Sequence, residues 1–263
     1  MCRWAAWIGE PIYMEELVTL PDHSLIHQSH AASECKTATN GDGFGLAWYG
    51  DKPMPGQYRD VLPAWADANL RAIAGQVKAR TFLAHVRAST GAAVSRNNCH
   101  PFVSGKWSFM HNGQIGGFDA VRRRAEMLIP DALYPERKGA TDSEALFLLA
   151  LAEGFDHDPA AAISRALAQL GALATAGGGG LLRVSAALSD GHSLWAFRYA
   201  SDQFAPTLYY RWDDVRGGWI VASEPLDNHA GWVSLEPGTV AHFSGKEMGQ
   251  APFGPAPDLV AAE

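Results

Sequence analysis

The order of strand-like and helix-like segments is the feature of this sequence that most restricts its fold. Two blocks of strand-like segments, one before residue 112 and one after residue 180, enclose a stretch of helix-like segments. A chain built from strand–helix–strand repeats would alternate the two types along its whole length. We therefore expect an α+β fold in which antiparallel sheets are covered by helices.

The strands are predicted from residues that alternate in character and from turn residues between the segments. In residues 81–88, for example, Phe82, Ala84 and Val86 share one predicted face. The predicted strands are Arg3 to Ile8, Phe44 to Tyr49, Thr81 to Ala88, Trp107 to His111, Leu181 to Leu188, Leu194 to Tyr199, Thr207 to Arg211, Trp219 to Ser223 and Thr239 to Phe243.

Four segments have the apolar spacing and capping residues of helices. One runs through Leu70 and Val77, and a second is predicted to be capped by Asp119. Thr141 and Glu144 have the spacing of a capping box, and Asp158 followed by a proline is a typical helix start. The last two helices are predicted to form a hairpin.

Length and composition fit one domain with a sizeable core. The chain has 263 residues and 47% hydrophobic residues, and it contains no internal repeat or Pro/Ser-rich linker before its last part. We expect a single domain over residues 2–250 and a loosely ordered tail over residues 251–263.

Charge and hydropathy argue against nucleic-acid and membrane partners. The net charge is −7, and clustered Lys and Arg residues of the kind that bind phosphate backbones are confined to the triplet at 122–124. No apolar run is long enough to span a bilayer. Glu10, Glu15 and Glu16 interrupt any signal-peptide core, so the expected location is the cytoplasm.

No cofactor or metal is expected. The cysteines Cys2, Cys35 and Cys99 are odd in number and form no CxxC pair, which argues against disulfides and a zinc site. The glycine-rich segment 40–45 is followed by a strand instead of a helix and lacks the Lys-Ser/Thr of a phosphate loop.

Cys2 is the candidate nucleophile. Residue 2 is small, so Met1 is expected to be removed, which leaves Cys2 as the terminal residue. Its α-amino group, with an ordinary pKa of about 8, can then serve as the base for its own thiol. The alternative is a cysteine that stands at position 2 without a catalytic role.

Three further places supply polar groups at element ends. Arg87 closes an apolar strand and suits a bidentate grip on a carboxylate, with the Thr90 hydroxyl nearby, although a salt bridge at the rim is the common alternative. His85 on the same strand is a candidate base or a buried core residue. Asn112 and Gly113 can donate to an oxyanion or form a hairpin turn.

Asp142 lies in the first turn of a predicted helix, where it can bind an ammonium group or only favour the helix terminus. These candidates together match a free amino acid with a side-chain amide. Cys2 would attack the amide, and Asn112 and Gly113 would hold the oxyanion. Arg87 and Thr90 would hold the α-carboxylate, and Asp142 would hold the α-ammonium group.

The sequence resembles the class II glutamine amidotransferase domain, in the N-terminal-cysteine branch of the Ntn hydrolases. It is similar in particular to short stand-alone members, the YafJ-like amidotransferases and the ergothioneine-pathway γ-glutamyl amidohydrolases. The matching segments, in the family's order, are Met1 to Trp4, Ser24 to Ser29, Asn40 to Tyr49, Arg87 to Thr90, His111 to Gly113, Thr141 to Glu144 and Ala222 to Leu226.

The resemblance implies a four-layer αββα sandwich and hydrolysis of a γ-glutamyl amide through a thioester on an N-terminal cysteine. It assigns catalytic roles to Cys2, Asn112 and Gly113 and substrate binding to Arg87, Thr90 and Asp142. Two departures are visible: Gly91 stands where synthase-linked members often have a histidine, and no segment after Leu226 is long enough for a synthase domain.

Three functions remain open at this point. The chain could be a glutaminase that supplies ammonia to a separate synthase chain. It could instead hydrolyse a larger γ-glutamyl conjugate without ammonia transfer. The third alternative is a non-catalytic scaffold, against which the complete set of site residues argues.

Overall fold

A computed structural model describes residues 2–32, 39–89 and 93–255. The β-strands are β1 (Arg3–Tyr13), β2 (Phe44–Tyr49), β3 (Gly56–Asp60), β4 (Lys78–Val86), β5 (Phe102–Ser104), β6 (Trp107–Ile115), β7 (Leu182–Ser189), β8 (Leu194–Ala200), β9 (Tyr209–Asp213), β10 (Gly218–Ala222), β11 (Val233–Ser234), β12 (Thr239–Ser244) and β13 (Glu247–Pro252). The α-helices are α1 (Glu15–Val18), α2 (Leu25–His30), α3 (Ala68–Gln76), α4 (Phe118–Glu126), α5 (Asp142–Ala152) and α6 (Pro159–Ala176). None of these helices is long and apolar enough to cross a bilayer.

The strands form two antiparallel sheets. A seven-stranded sheet has the order β11-β9-β10-β1-β4-β2-β3, and a six-stranded sheet has the order β13-β12-β8-β7-β6-β5. β1 therefore lies near the middle of the larger sheet, between β10 and β4. β6 pairs with β7 in the smaller sheet.

Three apolar clusters separate the layers. One lies between the larger sheet and helices α1 to α3, and another lies between the smaller sheet and helices α4 to α6. The third joins the inner faces of the two sheets, where Trp4 and Leu83 meet Met110 and Phe243. The layer order is helix, sheet, sheet, helix, and the predicted α+β, αββα sandwich is confirmed.

β1 shows why these strands are apolar on both faces. Trp4, Ala6 and Ile8 enter the cluster between the sheets, whereas Ala5 and Trp7 enter the cluster under the helices. The Trp4 indole N–H also donates to the Ser185 carbonyl on β7, at 3.2 Å. Successive side chains on a strand point to opposite faces, so an inner sheet of this sandwich buries both sets.

The nine predicted strands are all present, with ends shifted by a few residues. Four strands were not predicted: β3, β5, β11 and β13. These lie at sheet edges, where a strand contacts one neighbour and needs less apolar alternation. Helix α4 begins after Gly117, whose φ is 78°, so the prediction of an Asp119 cap is wrong.

Residues 251–253, assigned to the tail by sequence, continue the fold. β13 pairs with β12 through Pro252, and the Phe253 ring packs on Phe197 at 5.0 Å. Residues 256–263 lie outside the described part of the chain, and the single-domain boundary at residue 250 stays a prediction.

Two strand ends of the larger sheet face β6 of the smaller sheet. Cys2 directly precedes β1, Arg87 directly follows β4, and Asn112 lies in β6 on the opposite sheet. By alternation, Cys2 has the orientation of Trp4, Arg87 that of Leu83, and Asn112 that of Met110. Since those three apolar residues lie between the sheets, the polar residues line the mouth of the same layer.

Candidate active site

One cavity of about 480 Å³ brings the predicted groups together. It is lined by Cys2, Arg87, Asn112, Gly113 and Asp142, which come from four separate parts of the fold. Thr90 lies outside the described residues, as does Cys35. The five described candidates share this cavity although they are up to 140 positions apart in sequence.

The Cys2 thiol is half-buried and held by the chain beyond β4. Its Sγ accepts a hydrogen bond from the Ala88 N–H at 3.4 Å and lies 3.6 Å from the Ala88 carbonyl oxygen. An N–H donor favours the thiolate form of a cysteine over the thiol. The backbone after Arg87 therefore orients the sulfur at the wall of the cavity.

The Arg87 guanidinium is buried beside a turn of the glycine-rich segment. Its Nη1 donates to the Asp42 carbonyl at 3.3 Å, and its Nη2 donates to the Ser89 hydroxyl at 3.1 Å. The Asp42 carboxylate in turn accepts from the Ser89 N–H at 2.7 Å. These bonds and the burial of Arg87, which is 4% exposed, hold the guanidinium at the cavity wall.

Asn112 and Gly113 lie inside β6, not in a turn. Asn112 is paired with Ser185 and Gly113 with Val184 of β7, which excludes the hairpin-turn interpretation. The Asn112 side chain is 1% exposed, and its Nδ2 has no hydrogen-bond partner among the described residues. A buried amide nitrogen without a partner at a cavity wall is a donor ready for an oxygen of a ligand.

Gly113 also has a steric reason to be glycine. A Cβ at this position would lie 1.9 Å from the Arg183 carbonyl oxygen and 2.5 Å from Nε2 of His111. Any other residue would push β7 away from β6. The same glycine thus permits close strand pairing and leaves its N–H beside the Asn112 amide.

Asp142 is the first residue of α5, behind the Thr141 cap. The Thr141 hydroxyl accepts from the Glu144 N–H at 3.2 Å, as in a capping box, but the Glu144 carboxylate accepts from the Gly139 N–H instead of returning to the cap. Asp142 accepts from the Ile115 N–H at 2.7 Å and from the Ser143 N–H at 2.8 Å. These two N–H donors fix the Asp142 carboxylate at the start of α5, beside the cavity.

His111 is a supporting residue that sequence reasoning did not assign. Its Nε2 lies 3.1 Å from the Arg183 carbonyl and its Nδ1 lies 2.8 Å from the Ser143 hydroxyl. Since a carbonyl only accepts, Nε2 carries the proton, and burial lowers the pKa of His111 so that the ring is neutral. The ring therefore links β6, β7 and α5 next to Asn112 and Asp142.

His85 is a buried neutral residue, not a base in the cavity. Burial, together with the nearby Arg87 cation, lowers the pKa of His85 from 6.5 to about 3. Its ring lies 4.3 Å from that of His100, whose pKa burial also lowers. Both rings are uncharged and lie on the Arg87 side of the site. His85 is therefore a buried core residue.

The described residues contain no group of three or more His, Cys, Asp or Glu side chains that could hold a metal ion.

Comparison with known proteins shows the family to which this chain is similar. The sequence model described as "Glutamine amidotransferases class-II" matches residues 17–211, more than half of the chain. A solved glutamine aminotransferase class-II domain protein from Silicibacter pomeroyi is 44% identical, covers 97% of this chain and 100% of its own, and superposes with a TM-score of 0.77.

Two curated relatives differ in how much of them the chain covers. The probable glutamine amidotransferase DUG3 of Saccharomyces cerevisiae is 38% identical over 57% of this chain, which spans only 45% of DUG3. The gamma-glutamyl-hercynylcysteine sulfoxide hydrolase of Mycolicibacterium smegmatis is 28% identical over 89% of this chain and 92% of its own length.

The lowered pKa of His85 predicts how the free energy of unfolding depends on pH. Between about pH 6.5 and pH 3 the unfolded chain binds a proton at residue 85 that the folded chain does not, so stability falls as the pH falls through this range. His85→Gln should reduce the slope of unfolding free energy against pH by up to about 1.4 kcal/mol per pH unit. Urea unfolding at several pH values between 4 and 7 measures this slope.

His192→Gln is the matched control for this experiment. His192 is exposed, and its replacement should leave the slope unchanged. An equal slope in the native chain and in His85→Gln would show that residue 85 does not bind the proton on unfolding.

Proposed function

This chain belongs to the class II glutamine amidotransferase family, and we propose that it hydrolyses a γ-glutamyl amide bond through a thioester on Cys2. The observation that carries the proposal is the single cavity lined by Cys2, Arg87, Asn112, Gly113 and Asp142. A nucleophile, two oxyanion donors, a cation and an anion are the groups that an amino acid with a side-chain amide requires.

Recognition would use opposite charges at the two ends of the α-carbon. The fixed Arg87 guanidinium would bind the α-carboxylate, with the Thr90 hydroxyl as a further donor. The Asp142 carboxylate would bind the α-ammonium group. Both residues are held by their own hydrogen bonds, so substrate binding would order few protein side chains.

The chemical steps would use Cys2 alone as nucleophile and base. After removal of Met1, the α-amine takes the proton of the thiol, and Sγ attacks the amide carbon. The Asn112 Nδ2 and the Gly113 N–H donate to the oxyanion. The intermediate collapses to a thioester as the leaving amine takes the proton, and water then releases glutamate and restores the thiol.

The size of the cavity favours a leaving group larger than ammonia. The cavity volume of about 480 Å³ lies within the roughly 300–1,000 Å³ that is typical of sites for drug-sized ligands. This volume is larger than glutamine requires. The relative that matches nearly full length is named as a hydrolase of a γ-glutamyl conjugate. We therefore place γ-glutamyl conjugates first among the substrates.

Glutamine is the second candidate, with ammonia passed to a separate synthase chain. The recognition groups are the same for both substrates, and a curated relative carries the name of a glutamine amidotransferase. Either reaction requires a reduced Cys2. Because the thioester forms only on a reduced thiol, the proposal includes the reducing environment of the cytoplasm.

Cys2→Ala should abolish glutamate release while the fold is kept. The reason is that the thioester needs the sulfur. Glutamate release and circular dichroism measure the two properties, and 6-diazo-5-oxo-norleucine should label the native chain at Cys2. The matched control is Cys99→Ala, because burial raises the pKa of that thiol to about 11 and makes it unreactive. Turnover above a few per cent in Cys2→Ala would exclude the mechanism.

Arg87→Lys should weaken binding of the α-carboxylate by roughly 1–3 kcal/mol, because lysine keeps the charge and loses the paired N–H donors. KM should rise more than kcat falls. The sharper measurement uses a substrate without the α-carboxylate, which should be poor for the native chain and no worse for the variant. Equal use of both substrates by the native chain would overturn the assignment of Arg87.

A hydrolysis panel separates the two substrate classes. Glutamine, γ-glutamyl amides and γ-glutamyl thiol conjugates are compared at equal concentration, with glutamate as the product measured. We expect kcat/KM to be at least tenfold higher for a conjugate than for glutamine, roughly the 1.4 kcal/mol that a modest leaving-group contact supplies. A preference for glutamine would favour the ammonia-supplying function.

A further inference from the structure

Two segments without an assigned role meet directly behind Cys2. They are residues 24–29, which hold the Ser24 cap and most of α2, and residues 222–226, which begin at the last residue of β10. The Gln28 amide donates to the His23 carbonyl at 2.9 Å, and its Nε2 also lies 3.3 Å from the Pro225 carbonyl and 3.4 Å from the Glu224 carbonyl. α2 therefore fixes the backbone around Glu224.

The Glu224 side chain forms a buried ion pair with Arg3. Nε of Arg3 lies 2.8 Å from Oε2 of Glu224, and the two side chains are 1% and 6% exposed. Nη1 of the same guanidinium donates to the carbonyl oxygen of Cys2 at 3.1 Å. One planar group thus joins the carboxylate to the backbone of the nucleophile.

Stability alone does not account for this pair. Removing two charges from water is costly, and well-packed apolar residues often stabilise as much or more. In addition, Nη2 of Arg3 is buried without a hydrogen-bond partner among the described residues. A contribution to stability is therefore a weak explanation of the pair, and its contact with the Cys2 carbonyl offers a better one.

The geometry shows what the pair constrains. Arg3 shares the face of Ala5 and Trp7, which pack under the helices, while Cys2 shares the face of Trp4 towards the other sheet. Arg3 therefore holds the Cys2 backbone from the side opposite to the cavity. Once Met1 is removed, the terminal residue is anchored by its own carbonyl and side chain, with no preceding peptide.

We propose that Arg3 and Glu224 are positioning residues that fix the Cys2 carbonyl, and thereby the directions of its thiol and α-amine, for attack. The α-amine, the carbonyl carbon and the CH₂–SH group of Cys2 are all attached to one Cα. A fixed carbonyl plane therefore limits the directions that the amine and the thiol can take. This inference rests on the proposed function, since it requires Cys2 to be the terminal nucleophile. Arg3 reaches the Cys2 carbonyl and Glu224 is paired with Arg3, so both would influence the reaction through the backbone of Cys2.

The test compares Arg3→Lys with Arg211→Lys. Arg211 lies in the same sheet, is largely buried, pairs with Asp227 at 2.9 Å and also has one guanidinium nitrogen without a partner among the described residues. Lysine at residue 3 can reach the carboxylate or the carbonyl but cannot join them. We expect kcat to fall by roughly ten- to a hundredfold with KM nearly unchanged, while Arg211→Lys keeps native kcat.

A second readout works even if no γ-glutamyl compound is hydrolysed. The rate of Cys2 alkylation by iodoacetamide at pH 7 depends on activation of the thiol by the adjacent amine, and it should fall in Arg3→Lys and not in Arg211→Lys. If the native chain alkylates rapidly but releases no glutamate, the proposed function fails while the positioning role is still tested. Unchanged kcat and alkylation in Arg3→Lys, or an equal fall in Arg211→Lys, would overturn the role.

Glu224→Gln keeps the test decisive if Arg3→Lys does not fold. Glutamine has the shape of glutamate and retains an acceptor for Nε of Arg3, but it leaves the guanidinium without its counter-charge. The same fall in kcat and alkylation is expected, with Glu224→Asp intermediate between native and Glu224→Gln. Native values in Glu224→Gln would contradict the proposal.

Discussion

The apolar contact between the inner faces of the two sheets is the interaction on which this structure depends. Trp4 and Leu83 from one sheet pack on Met110 and Phe243 from the other, and this layer fixes the distance between β1, β4 and β6. Cys2 directly precedes β1, Arg87 directly follows β4 and Asn112 lies in β6. Their relative positions are consequently set by packing of the core, without a flexible loop between the nucleophile and its strand.

Much of the fold follows from local patterns in the sequence, for identifiable reasons. The central strands were predicted because residues alternate in character there and turn residues separate the segments, and α5 because Thr141 is a cap. The start of α4 was placed incorrectly because Gly117 adopts a left-handed conformation that Asp119 does not reveal. The edge strand β3 was missed because its residues Gly56 to Asp60 are mostly polar.

The residues that line the candidate site were predictable from the sequence, but the hydrogen bonds that hold them in place were not. Cys2, Arg87, Asn112 and Asp142 stand at element ends or in motifs, so their chemistry was visible in the sequence. The bonds that orient them join distant positions: Arg87 to Asp42, Asp142 to Ile115 and Arg3 to Glu224. No spacing rule connects such pairs, and for the same reason His111 and Ser143 carried no signal of their joint role.

The immediate start of β1 at Arg3 ties the direction of the Cys2 side chain to the register of the larger sheet. No residue separates Cys2 from the strand, and β1 is paired on both sides, with β10 and with β4. One residue inserted between Cys2 and Arg3 would turn Cys2 towards the opposite face of the sheet. The pairing of β1 with its two neighbours therefore also sets the direction of the thiol.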